Sequence, residues 1–237
     1  MRLVLFDLGT TLVDRAEGFR RWAWEFCAEH RLGPDAAAWL VTADDAGRTG
    51  RPEFFRNVRT RFGLAASEQA LAEAYLERCP ALVPPVPGVL AGLPRLRAAG
   101  WRIGVVGEGD HQLAALLCTG ISGLVDGWAI AGPSGPSTSD AGRFALAARR
   151  CETGLDGGWL VSADVSAGIA AGLCTVRVSP KRGEAQLSGS AAAEEQVQPE
   201  REAGRLQPDR AAPGAAAEPA QHRTVPDTAA AIALLLG

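Results

Sequence analysis

The chain opens on Leu3-Val4-Leu5-Phe6, a continuous apolar run closed by Asp7 and a Gly9-Thr10-Thr11 turn. A run of this length without alternation predicts a strand covered on both faces, as in a parallel sheet. Its carboxyl end presents Asp7, at the place where open α/β sheets keep their sites. From Asp14 to about Pro80 the period changes, with Phe19, Trp22, Ala23 and Phe26 recurring at helical spacing. Gly33-Pro34, the 47–52 stretch and Gly63 separate further helical segments around 36–43, 53–61 and 67–79. Pro84-Pro85-Val86-Pro87-Gly88 is too stiff for a central strand or helix interior and reads as the return hinge of a helical insertion.

After the hinge the chain alternates again. A helix over 89–99, with Pro94 inside and Gly100 closing it, leads to a strand over 102–106 and a helix over 111–118. Strands over 128–130, 159–161 and 175–178 follow, separated by helices over 143–150 and 165–171. Strand and helix alternation of this kind predicts an α/β fold, a doubly wound parallel sheet with right-handed crossovers. Residues 180–221 carry Ala, Glu, Gln, Pro, Gly and Arg with few aliphatic side chains and no period, and are expected to be disordered. Residues 222–237 read as a short edge strand and a helix with Asp227 or Thr228 as N-cap, which makes the low-complexity stretch an internal loop. The expected organisation is a core of 1–14 and 88–179, an inserted helical cap of 15–87, the loop, and a returning strand and helix of the core.

Composition narrows the function classes. A formal net charge of -3 over 237 residues gives no broad attraction to nucleic acid or anionic membrane. Almost all bases are arginine, Lys181 being the single lysine, so few amines are available for catalysis. The five cysteines form no C-x-x-C pair and read as small buried hydrophobes of a reducing compartment. The N-terminal apolar run is broken too early for a signal peptide, and no stretch is long enough to span a bilayer, so the expected location is the cytoplasm.

Phe6-Asp7-Leu8-Gly9-Thr10-Thr11-Leu12-Val13-Asp14 resembles the first motif of the haloacid dehalogenase-like hydrolase superfamily, a hydrophobic strand followed by D-x-D-G-T-L-x-D. The segment from Gly88 through Trp101-Arg102-Ile103-Gly104-Val105-Val106-Gly107-Glu108-Gly109 resembles the surroundings of its second motif. Ser162-Ala163-Asp164-Val165-Ser166-Ala167-Gly168-Ile169-Ala170-Ala171-Gly172-Leu173 resembles the fourth motif running into its helix. The resemblance spans nearly the whole chain outside 180–221. It implies a Rossmann-like core with a helical cap inserted after the first motif.

In that family the first aspartate attacks phosphorus to form an acyl-phosphate, and an acid two residues later protonates the leaving oxygen. The spacing suits the chemistry, because residues i and i+2 of an extended loop flank one phosphoryl group. By this resemblance Asp7 is the nucleophile, while the second position is Gly9, which has no proton to give. Losing general acid help costs about 10²- to 10⁴-fold. The second motif's Ser or Thr is replaced by Gly107, followed by Glu108 and Asp110, whose charge opposes an anion at a helix start. The third motif's lysine, expected within Ser137-Thr138-Ser139-Asp140, is replaced by Thr138, which removes a cation from the phosphoryl group. Of the fourth motif's acids only Asp164 remains, in one register the later acid and in another the earlier, so a magnesium carboxylate is missing either way.

The candidate site by this resemblance is Asp7 as nucleophile, Thr10, Thr11, Glu108 and His111 facing a ligand, and Asp7 with Asp164 as the remaining metal ligands. Asp7 has a second reading as a relict acid that caps its loop, Asp164 as N-cap of the helix that follows, in preference to metal ligand, and His111 as a surface or capping group. Trp22, Trp24, Phe26 and Trp39 either line a pocket between cap and core or are ordinary helix packing. Arg48 and Arg51 fall in a cap loop, as anion-binding groups or as solvated charges, and Lys181 is a remote substitute for the missing lysine. The expected function is that of a degenerate hydrolase without ordinary Mg²⁺-dependent phosphatase activity and with no resident cofactor, Mg²⁺ entering only with residual activity. Two alternatives stand beside it: a metal-independent enzyme using Asp7 on carbon, as in 2-haloacid dehalogenation, and a non-enzymatic interaction protein. Partners are a small-molecule ligand or another protein, with no nucleic acid and no membrane.

Overall fold

The computed structural model describes residues 1–47, 49–131, 140–179 and 221–237. The expected disorder of the low-complexity stretch, together with Arg48, Thr138 and Lys181, lies outside the described residues. A six-stranded sheet forms the centre, with every neighbouring pair parallel and the order β3-β2-β1-β4-β5-β6. The strands are β1 (Arg2–Asp7), β2 (Trp101–Glu108), β3 (Gly127–Ala131), β4 (Trp159–Ser162), β5 (Cys174–Val178) and β6 (His222–Val225). Each predicted strand is present, with ends moved by one or two residues. Sequence periodicity marks where side chains are buried, whereas the ladder continues as long as backbone partners exist. Among the described residues no helix is long and apolar enough to cross a membrane.

Helices cover both faces of the sheet. Val4 and Phe6 of β1 face α5 (Val89–Ala98), α6 (Asp110–Cys118) and α9 (Thr228–Leu236) in one buried cluster. Leu3 and Leu5 face α7 (Asp140–Arg150) in another. This is why the run 3–6 has no polar position: alternate residues enter two different cores. Asp227 caps α9 by accepting the Ala230 amide at 2.8 Å, a contact of about 1 kcal/mol.

Between β1 and β2 the chain forms α1 (Arg15–Glu29), α2 (Pro34–Asp44), α3 (Arg51–Phe62) and α4 (Glu68–Leu82), which share a core of their own. The two linkers to this insertion pair with each other. Asp14 N–H donates to the Pro84 carbonyl at 2.8 Å, and Val86 N–H to that of Leu12 at 2.9 Å. The proline-rich hinge thus runs antiparallel beside the outgoing segment, using the backbone groups that its prolines leave available.

The insertion's core is aromatic. Trp22 and Phe26 are buried there with ring centroids 5.0 Å apart, and Trp22 meets Tyr75 edge-on at 4.9 Å. Trp39 packs edge-on against Phe62 and Trp24 is 60% exposed, while Trp22 and Phe26, though packed in this core, also border a hollow of about 470 Å³ between α1 and α4. Arg51 corrects an expectation. It is the first residue of α3, not a loop charge, and donates to Asp44 Oδ1 at 2.8 Å, while Arg15 donates to Oδ2 at 2.8 Å. The Asp44 side chain is only 3% exposed, and the Arg51 guanidinium also lies 4.6 Å from the centre of the Tyr75 ring.

Asp44 therefore holds two arginines from two helices. Removing one partner of a buried ion pair leaves the remaining charge without compensation and costs about 3 to 5 kcal/mol. Asp44→Ala is expected to lose stability on that scale in urea unfolding, whereas a loss no larger than that of an exposed pair such as Glu25 with Arg78 would contradict the role assigned to it.

Candidate active-site cleft

The ends of β2, β1 and β4 lie side by side, and they bring Glu108, Asp7 and Asp164 to one cleft of about 350 Å³. The positions follow from register, with Asp7 opposite Val106 on one side and Phe6 opposite Val161 on the other. A crevice at the carboxyl ends of central parallel strands is where this architecture binds ligands. Asp7 ends β1, and a tight helical turn over Leu8–Leu12 carries the chain away from it.

The expected site residues separate into two groups. Asp7, Glu108 and Asp164 border the cleft. Thr11 does not: it is fully buried, its carbonyl accepts the Thr228 hydroxyl at 2.5 Å, and its own Oγ1 has no partner among the described residues. Its place is a junction between the first loop and α9, which a linear motif cannot distinguish from a ligand-facing one. His111 borders a second, smaller cavity beneath the insertion, and its ring lies against Gly109. Gly109 has φ +97°, and a Cβ there would stand 2.7 Å from the His111 ring, so the turn requires glycine on both counts. The side chains of Thr10 and Asp110 lie outside the described residues.

Asp164 combines the two expectations held for it. Its Oδ1 accepts the Ser166 amide at 2.9 Å and the Ser166 hydroxyl at 2.7 Å. The helix α8 (Ser166–Ala170) starts after Val165, one residue later than an Asp164 N-cap would place it. These two bonds, the backbone one foremost, hold the Asp164 carboxyl below the usual aspartate range.

Two cleft residues escaped the sequence reading. Arg143 of α7 places its guanidinium there, only 17% exposed, paired with Glu108 at 3.0 Å and with Asp140. Burial works against its charge, but the hydrogen bonds from Asp140 and Glu108 prevail and raise its pKa. The cleft thus has a cation, contrary to the expectation drawn from the missing lysine. A signal existed: Arg143 directly precedes the buried Phe144, in the helix that follows the third-motif segment. Gln112 is the second, and its carboxamide oxygen accepts the Glu108 amide at 3.3 Å. No spacing rule points to it, because its significance comes from what it lies against.

The family resemblance raises the question of Mg²⁺. Among the described residues no group of three His, Cys, Asp or Glu side chains is disposed to hold a metal ion. One oxygen of Asp164 is engaged by Ser166, and Glu108 and Asp140 are engaged by Arg143. Mg²⁺ usually keeps several waters and takes one or two protein carboxylates, so Asp7 and Asp164 are the residues here that would hold it, the other two acids of the cleft being paired with Arg143.

By sequence, the chain matches no protein-family model and no curated protein. By structure it is similar to the defluorinating L-2-haloacid dehalogenase Rha0230, at TM-score 0.62 and 20% identity over 100% of this chain and 96% of that one. It is also similar to L-2-haloacid dehalogenase from Xanthobacter autotrophicus with chloropropionic acid covalently bound, at TM-score 0.55 and 19% identity over 77% and 79% of the two chains. A HAD family hydrolase from Deinococcus radiodurans R1 with bound phosphate and sodium gives TM-score 0.53 and 22% identity over 76% and 81%. The chain has the haloacid dehalogenase-like fold.

Ser166→Ala removes the hydroxyl donor to Asp164 and leaves the amide donor in place. The Asp164 pKa is therefore expected to rise only part of the way toward that of a free aspartate, as read by carbon-detected NMR titration of the carboxyl. An unchanged value would show that the hydroxyl contributes nothing.

Proposed function

We propose that this protein keeps the haloacid dehalogenase-like fold without Mg²⁺-dependent phosphoryl transfer, and that the cleft at Asp7 serves a small ligand by other chemistry. The observation that carries this reading is the pair of glycines flanking Asp7. Gly9 offers no acid to protonate a leaving alkoxide, and Gly107 offers no hydroxyl to a phosphoryl oxygen.

A second reading is favoured by Arg143. A carboxylate nucleophile with a nearby guanidinium suits attack on a carbon next to a carboxylate, because halide leaves with the bonding pair and needs no proton. Asp7 would form an ester at that carbon with release of halide, and water would then cleave the ester to a 2-hydroxy acid and restore Asp7. The covalent chloropropionic acid in the Xanthobacter enzyme supports that class of chemistry for the fold.

The purified protein is expected not to hydrolyse p-nitrophenyl phosphate or sugar phosphates in the presence of Mg²⁺. Turnover at rates ordinary for an enzyme, about 1 to 10³ per second and abolished in Asp7→Asn, would refute the first reading. For the second, chloride release from 2-chloropropionate that disappears in both Asp7→Asn and Arg143→Met is the expected result. No release over long incubation removes it.

A further inference from the structure

The Asp7 cleft and the cavity under the helical insertion share one lining residue. Gln112, near the start of α6, borders both. The second cavity holds about 30 Å³ and is walled largely by Leu8, Val13, Tyr75, Val83 and Ala115. The bond from the Glu108 amide to Oε1 orients the carboxamide and turns Nε2 toward Gly9.

The two glycines flanking Asp7 are shaped around this amide. A Cβ at Gly107 would lie 2.1 Å from Gln112 Oε1 and 3.2 Å from Cδ, so the amide would have to swing away to admit one. A Cβ at Gly9 would lie 3.4 Å from Nε2 and 3.9 Å from Asp7 Oδ2, which leaves room for a methyl group and little more. The amide therefore fills volume at position 107, bounds it at position 9, and borders the same cleft as the Asp7 carboxylate. Its Oε1 also takes up the Glu108 N–H, a donor that an anion would otherwise use.

We propose that Gln112 is the specificity-determining residue of the cleft: its carboxamide excludes a tetrahedral oxyanion from the space beside Asp7 and walls the cleft off from the apolar cavity. The proposal rests on the reading that phosphoryl transfer is absent, and names the residue that keeps the ion out. Truncation to alanine opens the Glu108 N–H, joins the two cavities and frees the volume beside Gly107.

The test uses inorganic phosphate as probe and the full chain. Asp7→Asn removes the repulsion of the nucleophile's charge, and calorimetric titration compares Asp7→Asn with Asp7→Asn/Gln112→Ala. The double variant is expected to bind phosphate about tenfold more tightly or better. Equal affinity, or no binding in either, overturns the proposal. A second measurement does not depend on any ligand: Gly107→Ala, which must displace the amide from the Glu108 N–H, should lower the melting temperature in the unaltered protein and less in Gln112→Ala. Additive losses across that cycle would show that the amide does not hold the space, and would equally overturn it. Phosphatase turnover by the unaltered protein refutes the reading of the preceding subsection, whereas phosphate affinity and glycine costs that ignore Gln112 refute this one.

Discussion

The cleft depends on how its negative charge is tolerated. Laying the ends of β2, β1 and β4 side by side gathers Glu108, Asp7 and Asp164 at one opening, and α7 adds Asp140. Like charges in a shared, partly dry space raise one another's energy unless cations or hydrogen-bond donors compensate. Arg143 answers two of these acids with one guanidinium, and Ser166 answers a third with two donors. This arrangement sets the chemistry available. Acids held by internal partners are poorly placed to bind a divalent ion, and a guanidinium held by acids can still orient an anionic group of a ligand.

The same physical solution recurs in the insertion, where Asp44 sits between Arg15 and Arg51 inside an aromatic core. There the buried carboxylate joins helices, and both partners come from segments that composition marks only as charged. In each case an arginine that reads as a solvated charge is a structural or site group. Arginine suits both places, since its planar fork meets two acceptors or lies over a ring while remaining ionised.

Much of the fold was legible because its causes are local. The unbroken run Leu3-Val4-Leu5-Phe6 could only be a strand facing two cores, and helices on both faces of the sheet are what make it so. The proline hinge, the cap at Asp227 and the alternation after Gly88 each follow from backbone chemistry within a few residues. Motif likeness placed Asp7, Glu108 and Asp164 at strand ends, and the parallel register brought those ends together. It failed for Thr11, whose side chain turns inward, and for His111, which faces the other cavity.

The amino-acid sequence by itself determined the buried strands, the helical insertion and the loss of side chains at Gly9 and Gly107, because each is a property of one position or one short period. Only the tertiary structure decided that Arg143 returns a cation to the cleft and that Gln112 occupies the space beside Gly107. The first is a contact across 35 residues of chain, set by how α7 packs on the sheet, and the second depends on how the turn into α6 aims one side chain back at the end of β2.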